Sequence, residues 1–393
     1  MKKLITLNIF LLLNLALFPQ AWKSYPYEPD GSLIKFPVDE GRHPSEPIEW
    51  WYTAGHLTGA TTGKHYSYML TYFYTPQYIF DGFRILNICD DDIGLFIDDT
   101  KALNYNVLST DRLNIEADIF QGGIETWHNK TGSGGSPLPF EYLISAQSGS
   151  GTLNLVYDAL KPPLILADNG YLNLGSGDYS YYYSQTKNAF TGSITFNGVT
   201  ENVSGTSWID RQYGTFNPSS GQEYEWFSVQ LSNGMDFNIY NIFTADDEIP
   251  ATQTFKIFSA YIDESDQYTI SDFEIERLGY SYMPDSLRCY SQNWRITSPI
   301  NNVDIIVSAR HPNNEVALPF RFYEGSTTVT GTVNGIDVTG IGFAELTHSY
   351  EKPVIAIGNA SDRWTISTPI TWQTGNPDDG NPLRYDLEYS IDN

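Results

Sequence analysis

The sequence is poor in cysteine and in basic residues. Among its 393 residues are two cysteines, Cys89 and Cys289, and 22 lysines and arginines against 47 aspartates and glutamates, for a formal net charge of −25. Nucleic acids are bound through basic side chains, so we expect no nucleic-acid partner. Two cysteines could form at most one disulfide bridge in an oxidising compartment, and the sequence leaves their pairing open.

Motifs of the common hydrolases are also missing. The chain has no Gly-x-Ser-x-Gly motif for a serine nucleophile and no His-Glu-x-x-His motif for a zinc site. Its histidines are scattered, and each is expected to be structural or exposed rather than a metal ligand: His43, His56, His65, His128, His311 and His348. We therefore expect neither a metal ion nor another cofactor.

A long apolar run occurs only at the N-terminus. Lys2 and Lys3 precede the apolar segment 4–18, and a cleavage position could follow Ala21, which is the pattern of a secretory signal peptide over residues 1–21. A retained membrane anchor is the alternative, but the run is shorter than the roughly 20 residues that a spanning helix needs. We expect a secreted or periplasmic protein with no stable membrane insertion after removal of the signal.

Helical periodicity is weak throughout, whereas alternation with a period of two is widespread. In residues 65–74, tyrosine or leucine occupies every even position, as expected of a strand with two different faces. Asn-Gly pairs between such segments indicate tight hairpin turns: Asn197-Gly198, Asn233-Gly234 and Asn334-Gly335. The chain is therefore predicted to be all-β and antiparallel.

An internal repeat divides the chain into two halves. Residues 203–210 and 338–345 match at valine, glycine, aromatic and acidic positions at a constant offset of 135 residues (203 to 338 and 210 to 345). A spacing of this size indicates two related domains rather than a solenoid. We predict domains over residues 24–216 and 217–358, followed by residues 359–393 as a partial fibronectin-III-like sandwich or a tail.

Two segments place a carboxylate beside tryptophan. Residues 49–52 read Glu-Trp-Trp-Tyr and lead to His56, and residues 208–214 contain Trp208, Asp210, Arg211 and Tyr213. Tryptophan and tyrosine bury large apolar areas while each needs a hydrogen-bond partner, so such segments suit a wall that is half apolar and half polar. The alternative is a core strand whose carboxylate is satisfied locally.

Together these segments resemble the AttH-like and carotenoid 1,2-hydratase family of lipocalin-like proteins. The resemblance covers residues 24–352 and depends on several motifs: Glu49-Trp50-Trp51-Tyr52 with Gly55-His56-Leu57, Tyr181-Tyr182-Tyr183-Ser184, Gly205-Thr206-Ser207-Trp208-Ile209-Asp210, Tyr323-Glu324-Gly325 and Gly342-Phe343-Ala344-Glu345-Leu346-Thr347. It implies two tandem lipocalin-like barrels and an apolar isoprenoid or polyketide-like ligand between or within them. Relatives commonly have histidine directly after the aspartate that matches Asp210. Here Arg211 follows, and arginine cannot relay a proton, which weakens the transfer of a hydratase mechanism.

The sequence supports two main hypotheses about function. The first is a binding protein that holds an apolar isoprenoid- or lipid-like small molecule in an aromatic cleft. The second is a hydratase- or isomerase-type lyase acting on an isoprenoid alkene, with Asp210 as proton donor. A third, surface adhesion or assembly, depends only on the C-terminal segment. The candidate ligand-binding residues are Trp50, Trp51, Tyr52, His56, Trp208, Tyr213, Trp226 and Tyr323, and the candidate catalytic residues are Asp210, Glu49 and Arg211.

Two side-chain environments can be predicted. Glu49 should pair with Arg211, because a buried carboxylate needs a cation and a guanidinium binds it bidentately. Asp210 should share a strand face with Trp208. If that face borders a closed pocket, burial favours the protonated acid; if a cation reaches Asp210, the acid stays ionised and structural. Glu345, at the equivalent repeat position, favours a structural or ligand-orienting role.

Overall fold

A computed structural model describes residues 20–149, 151–175, 177–215, 220–350, 355–358, 369–374 and 385–386. Within these residues the helical pieces are two 3₁₀ turns, Val38–Glu40 and Ile300–Asn302, so the all-β prediction is confirmed. No helix in this part of the chain is long and apolar enough to cross a membrane. Most of the predicted signal peptide and of the predicted C-terminal module lie outside the described residues.

The first sheet forms a closed antiparallel barrel. Its 12 strands are β1 (Ile48–Gly59), β2 (His65–Gln77), β3 (Phe80–Asp90), β4 (Leu95–Leu108), β5 (Asn114–Ile119), β6 (Ile124–Thr131), β7 (Pro137–Gln147), β8 (Gly151–Ala159), β9 (Leu164–Ile165), β10 (Tyr171–Gly175), β11 (Asp178–Phe196) and β12 (Val199–Thr215). The long strand β11 pairs with both β12 and β8, which closes the ring. β9 and β10 pair with the other half of β11, outside the ring.

A bulge in β11 separates these two halves. The register between β11 and β12 shifts between Gln185 and Asn188, and bulges of this kind bend a strand and redirect its side chains. Just before the bulge, Tyr182 and Ser184 contact the second sheet, whereas Tyr183 packs into the barrel core. The bulge therefore lets one strand serve both the barrel and the contact with its neighbour.

The second sheet is a curled half-barrel rather than a second closed barrel. Its strands are β13 (Glu223–Leu231), β14 (Asp236–Phe243), β15 (Lys256–Asp263), β16 (Asp266–Ile270), β17 (Glu274–Tyr282), β18 (Cys289–Ser298), β19 (Val303–Ala309), β20 (Glu315–Val316), β21 (Phe322–Val333) and β22 (Ile336–Leu346). Among the described strands no ladder joins the edges, β16 and β17. The connection between these edge strands instead turns inward and buries Phe273 in the core.

The repeated segments occupy corresponding places in the two sheets. Residues 203–210 lie in β12, between β1 and β11, and residues 338–345 lie in β22, between β13 and β21. Each segment follows a two-residue Asn-Gly turn whose residues both have positive φ, as a tight hairpin requires. The predicted domain boundary falls within residues 216–219, outside the described residues.

An aromatic layer joins the two sheets. Its buried members come from both: Tyr52, Ala54, Met69, Ile85, Trp208, Trp226, Val316, Phe322 and Phe343. Polar contacts cross it as well, since Gln230 of β13 donates to the backbone oxygen of Ser207 at 3.2 Å. We call this region the inter-sheet layer. A short pair of strands, β23 (Ile355–Ile357) and β24 (Trp372–Thr374), lies beyond it in the sequence.

The two cysteines do not bridge each other. Cys89 in β3 and Cys289 in β18 are both buried thiols, and they belong to different sheets. The disulfide that the sequence left open is therefore not formed in this structure.

Candidate functional site

The predicted site residues separate into two groups because successive residues of a strand point to opposite faces. On β1, Tyr52 packs in the inter-sheet layer and Trp50 lies against its edge. Glu49 and Trp51 lie inside the barrel, where Trp51 is 2% exposed. The prediction that Trp50 and Trp51 line one cleft is therefore wrong. Tyr213 also packs inside the barrel, and Tyr323 packs inside the half-barrel.

Glu49 lies at the centre of a buried ionic cluster. Arg211 and Arg42 each donate to one of its carboxylate oxygens, and the His43 backbone N–H donates to it at 2.8 Å. Burial alone would raise the pKa of Glu49, but Arg211 and His43 outweigh it and hold that pKa below its ordinary value. The predicted Glu49–Arg211 pair is confirmed. The Arg211 guanidinium also stacks on Trp51, 4.0 Å from the ring centroid. It therefore lies in the barrel interior.

Asp210 lies on the opposite face of β12, in the inter-sheet layer. Ser184 is its partner on β11 and donates to Oδ1 at 2.5 Å. Tyr182 donates to Oδ2 at 2.5 Å, and the Trp208 indole N–H donates to Oδ1 at 2.7 Å. Asp210 is 4% exposed. Burial, together with the smaller effect of the nearby Glu345, raises its pKa to about 7 against the lowering effect of these three hydrogen bonds.

Asn238 of β14 sets the direction of these hydrogen bonds. The Trp226 indole N–H donates to its Oδ1 at 3.2 Å, which orients the amide. The amide nitrogen then donates to the Tyr182 hydroxyl at 2.9 Å and to the Ser184 hydroxyl at 3.0 Å. Each hydroxyl accepts from Asn238, so each directs its own hydrogen to Asp210.

A second acidic pair faces Asp210 from the half-barrel. Glu324 of β21 and Glu345 of β22 are directly opposite in their ladder. Tyr52 donates to Glu324 Oε1 at 3.0 Å, and Tyr224 donates to Glu345. Burial raises the pKa of both acids, and the neighbouring Glu345 raises that of Glu324 further.

Trp208 also borders a small crevice in the inter-sheet layer. The crevice is too narrow to admit a water molecule, and His56 and Phe343 line it with Trp208. Burial and the nearby Arg310 lower the pKa of His56 to about 3, so its ring is neutral. Its buried Nε2 has no hydrogen-bond partner among the described residues. His56 therefore offers an unsatisfied ring nitrogen beside the crevice.

Sequence reasoning did not select several residues of this site, although two of them stand in motifs that it quoted. Tyr182 and Ser184 belong to the Tyr-Tyr-Tyr-Ser motif, and Glu324 follows Tyr323, which was selected instead. Strand alternation within those motifs could have found them. Asn238 carried no signal, because its role depends on contacts with β11.

Two groups elsewhere have the ligand types of a metal site. In each, the ligand atoms lie within 4.8 Å of one another: Cys89 with Asp91 and His311, and Glu223 with Asp247 and His348. Asp91 already accepts hydrogen bonds from Ser67 at 2.7 Å and Ser326 at 3.3 Å. Neither group includes Asp210 or the Glu324–Glu345 pair.

Comparisons with known proteins agree on one family. A family model described as AttH-like matches residues 27–350. The kievitone hydratase of Fusarium solani subsp. phaseoli is 22% identical over 310 residues, which cover 76% of this chain and 82% of that protein. The crystal structure of a candidate AttH from Nitrosomonas europaea is similar with a TM-score of 0.67 at 21% identity, over 82% of this chain and 98% of that one. The crystal structure of kievitone hydratase from Nectria haematococca is similar with a TM-score of 0.62 at 15% identity, over 82% of this chain and 98% of that one. Both structures share the fold.

Proposed function

The chain belongs to the AttH-like family, and on that premise we propose that it is a hydratase-type lyase that binds an apolar small molecule in the inter-sheet layer and adds water to a carbon–carbon double bond of that molecule. The observation that carries the proposal is Asp210, a carboxyl group buried beside indole rings with no cation against it in the described part of the chain. A pKa of about 7 suits a group that exchanges protons at neutral pH.

The surrounding rings suit the charge that such a reaction develops. Protonation of an alkene leaves a positively charged carbon, which the faces of aromatic rings attract. Trp208 and Trp226 lie with ring centroids 6.4 Å apart, and Tyr52 lies 5.5 Å from Trp226. These rings share one layer with the buried carboxyl groups of Asp210 and Glu324, so carboxyl groups and the stabilising ring faces are adjacent.

The crevice limits the part of the ligand that can enter. The crevice is too narrow to admit a water molecule, so a ligand end that enters it must displace the side chains that line it. Because His56 Nε2 is buried there without a hydrogen-bond partner among the described residues, we propose that the ligand also carries a hydroxyl group.

Binding without turnover is the second candidate, and a specific observation favours it. Three donors already satisfy the Asp210 carboxylate, which is the arrangement of a structural acid as well as of a poised base. The protein would then hold the same kind of ligand without changing it.

One experiment decides between the two candidates. Native mass spectrometry of protein purified from its own source identifies the bound molecule, and kievitone serves as a first test compound. Turnover is measured as incorporation of oxygen from ¹⁸O-labelled water. We expect the wild type to incorporate the label and Asp210→Asn to bind without incorporation. Asp236→Asn, a buried acid of the same contact that pairs with Lys161, controls for disturbance of the two sheets. Binding without turnover by the wild type would refute the lyase.

We also propose that the protein is exported and that residues 1–21 are removed. The support is the charged, apolar and cleavable order of the first residues. Mass spectrometry of the N-terminus of protein from its source tests this. A mature chain that still begins at Met1 would contradict it.

A further inference from the structure

Three carboxyl groups meet in the inter-sheet layer. Asp210 is 4% exposed and Glu324 is 2% exposed, whereas Glu345 is partly accessible. None of the three pairs with a lysine, arginine or histidine in the described part of the chain. Three adjacent buried negative charges without a cation would be very costly, so at least one group must hold a proton.

The hydrogen-bond directions favour the ionised form of Asp210. Every polar neighbour that contacts its carboxylate donates, and both hydroxyls in addition accept from Asn238. The Trp208 indole can only donate. A protonated Asp210 would have to direct its hydrogen at a hydroxyl, whose own hydrogen would then lose its acceptor.

The same reasoning places the proton on the glutamate pair. Glu324 and Glu345 are directly opposite in their ladder; two ionised carboxylates have no donor between them, so one proton on the pair removes their mutual repulsion. The outer oxygens are satisfied by Tyr52 and Tyr224. Glu324 Oε2 is buried and has no hydrogen-bond partner among the described residues, so an ionised Glu324 would leave that oxygen unsatisfied and we place one proton on the pair.

We propose that the Glu324–Glu345 pair is the proton donor of the hydration and that Asp210, kept ionised by Asn238, accepts the proton of the attacking water; this rests on the proposed function. The alkene π electrons form a C–H bond with the proton of the pair, leaving a carbocation and an ionised pair. The water oxygen then forms the C–O bond and releases its proton to Asp210. Asp210 passes that proton to solvent, and the partly accessible Glu345 takes one up, so no oxidant, reductant or cofactor is consumed.

Isotope-edited infrared spectroscopy tests the proton positions without any substrate. With ¹³C-labelled glutamate carboxyls at pH 8, we expect a carboxylic-acid band in the wild type that is lost in Glu345→Gln. If Glu345→Gln does not fold, Glu324→Gln replaces it, and the carboxylic-acid band of the pair should be lost in that variant as well. With labelled aspartate, the spectrum of the wild type minus that of Asp210→Asn should show only a carboxylate band. A carboxylic-acid band for Asp210 would overturn the inference and leave the proposed function standing.

Asn238 supplies a second test as a positioning residue. Asn238→Leu removes both donors that fix the hydroxyl directions, so a carboxylic-acid band should appear for Asp210, and Asn238→Ala serves if the larger residue is not tolerated. Asn241→Leu is the matched control, because Asn241 is a buried amide of the same strand that donates to Glu225. Equal effects of the two leucine variants on the Asp210 band would overturn the role of Asn238.

Kinetics separate the two roles if the protein turns over its ligand. Loss of a general acid or base lowers the rate by about 10²- to 10⁴-fold. Glu345→Gln should abolish the basic limb of the pH profile and Asp210→Asn the acidic limb. The reverse assignment would overturn this inference but not the hydratase function. Absence of turnover together with the expected infrared bands would refute the hydratase function, and with it the two catalytic roles, but not the proton positions.

Discussion

Glu40 should make the barrel less stable as the pH rises. It is 1% exposed and has no cation partner among the described residues; it accepts hydrogen bonds from Tyr25 at 2.8 Å, Tyr142 at 2.7 Å and Asn129 at 3.0 Å. Burial outweighs these contacts and raises its pKa from 4.5 to about 7. In the unfolded chain, with its pKa near 4.5, Glu40 loses its proton first.

The magnitude and sign follow from this difference. Below pH 4.5 Glu40 is protonated in both states and contributes nothing to the pH dependence. Between pH 4.5 and 7 the folded state binds more protons than the unfolded state, so the free energy of unfolding falls as the pH rises. A pKa difference of about 2.5 lowers the free energy of unfolding by about 3 kcal/mol, and this loss is complete above pH 7.

The test is Glu40→Gln in urea unfolding followed by circular dichroism at pH 4 and pH 8. The glutamine N–H group of the variant faces one of the donors that bound Glu40. This changes the free energy of unfolding by an amount that does not vary with pH. We expect the free energy of unfolding of the variant, relative to wild type, to increase by about 3 kcal/mol from pH 4 to pH 8. Other titrating groups cancel in this difference.

Glu49→Gln is the matched control. Glu49 is also fully buried, but it pairs with Arg211 and Arg42, and its pKa lies below its ordinary value. Removing its charge leaves two buried guanidinium groups with less compensation, so the variant should be destabilised at both pH values. If the difference between Glu40→Gln and wild type is the same at pH 4 and pH 8, the reasoning about Glu40 is refuted.

Two further predictions concern the barrel interior and the thiols. Arg211→Leu should lower the free energy of unfolding by about 3 kcal/mol. This is the low end for a broken buried ion pair, because Arg42 still pairs with the Glu49 carboxylate. Arg295→Leu removes a half-exposed ion pair and should have little effect in the same urea titration, so equal losses in the two variants would contradict the argument. Cys89 and Cys289 should both react with a thiol reagent only after unfolding, because both are buried; a chain without reactive thiols in denaturant would show a disulfide instead.

Much of the fold could be predicted because its signals are local. Alternation with a period of two specifies strands whose faces differ, and Asn197-Gly198 and Asn334-Gly335 have the left-handed conformations that hairpin turns need. The Glu49–Arg211 pair could be predicted because a buried carboxylate requires a cation. The open edge of the second sheet could not, since the strands on either side of it show the same alternation as closed ones.

The sequence by itself determined the strand pattern, the repeat, and the presence of acids beside tryptophans. Only the tertiary structure decided which acid could hold a proton. Asp210 belongs to the barrel, whereas Asn238, Glu324 and Glu345 reach it from the half-barrel. Burial and hydrogen-bond direction depend on neighbours that are distant in the chain, so no local pattern specifies them. The same physical reason separates Glu49 from Asp210: both stand beside tryptophan, but packing gave only Glu49 a cation.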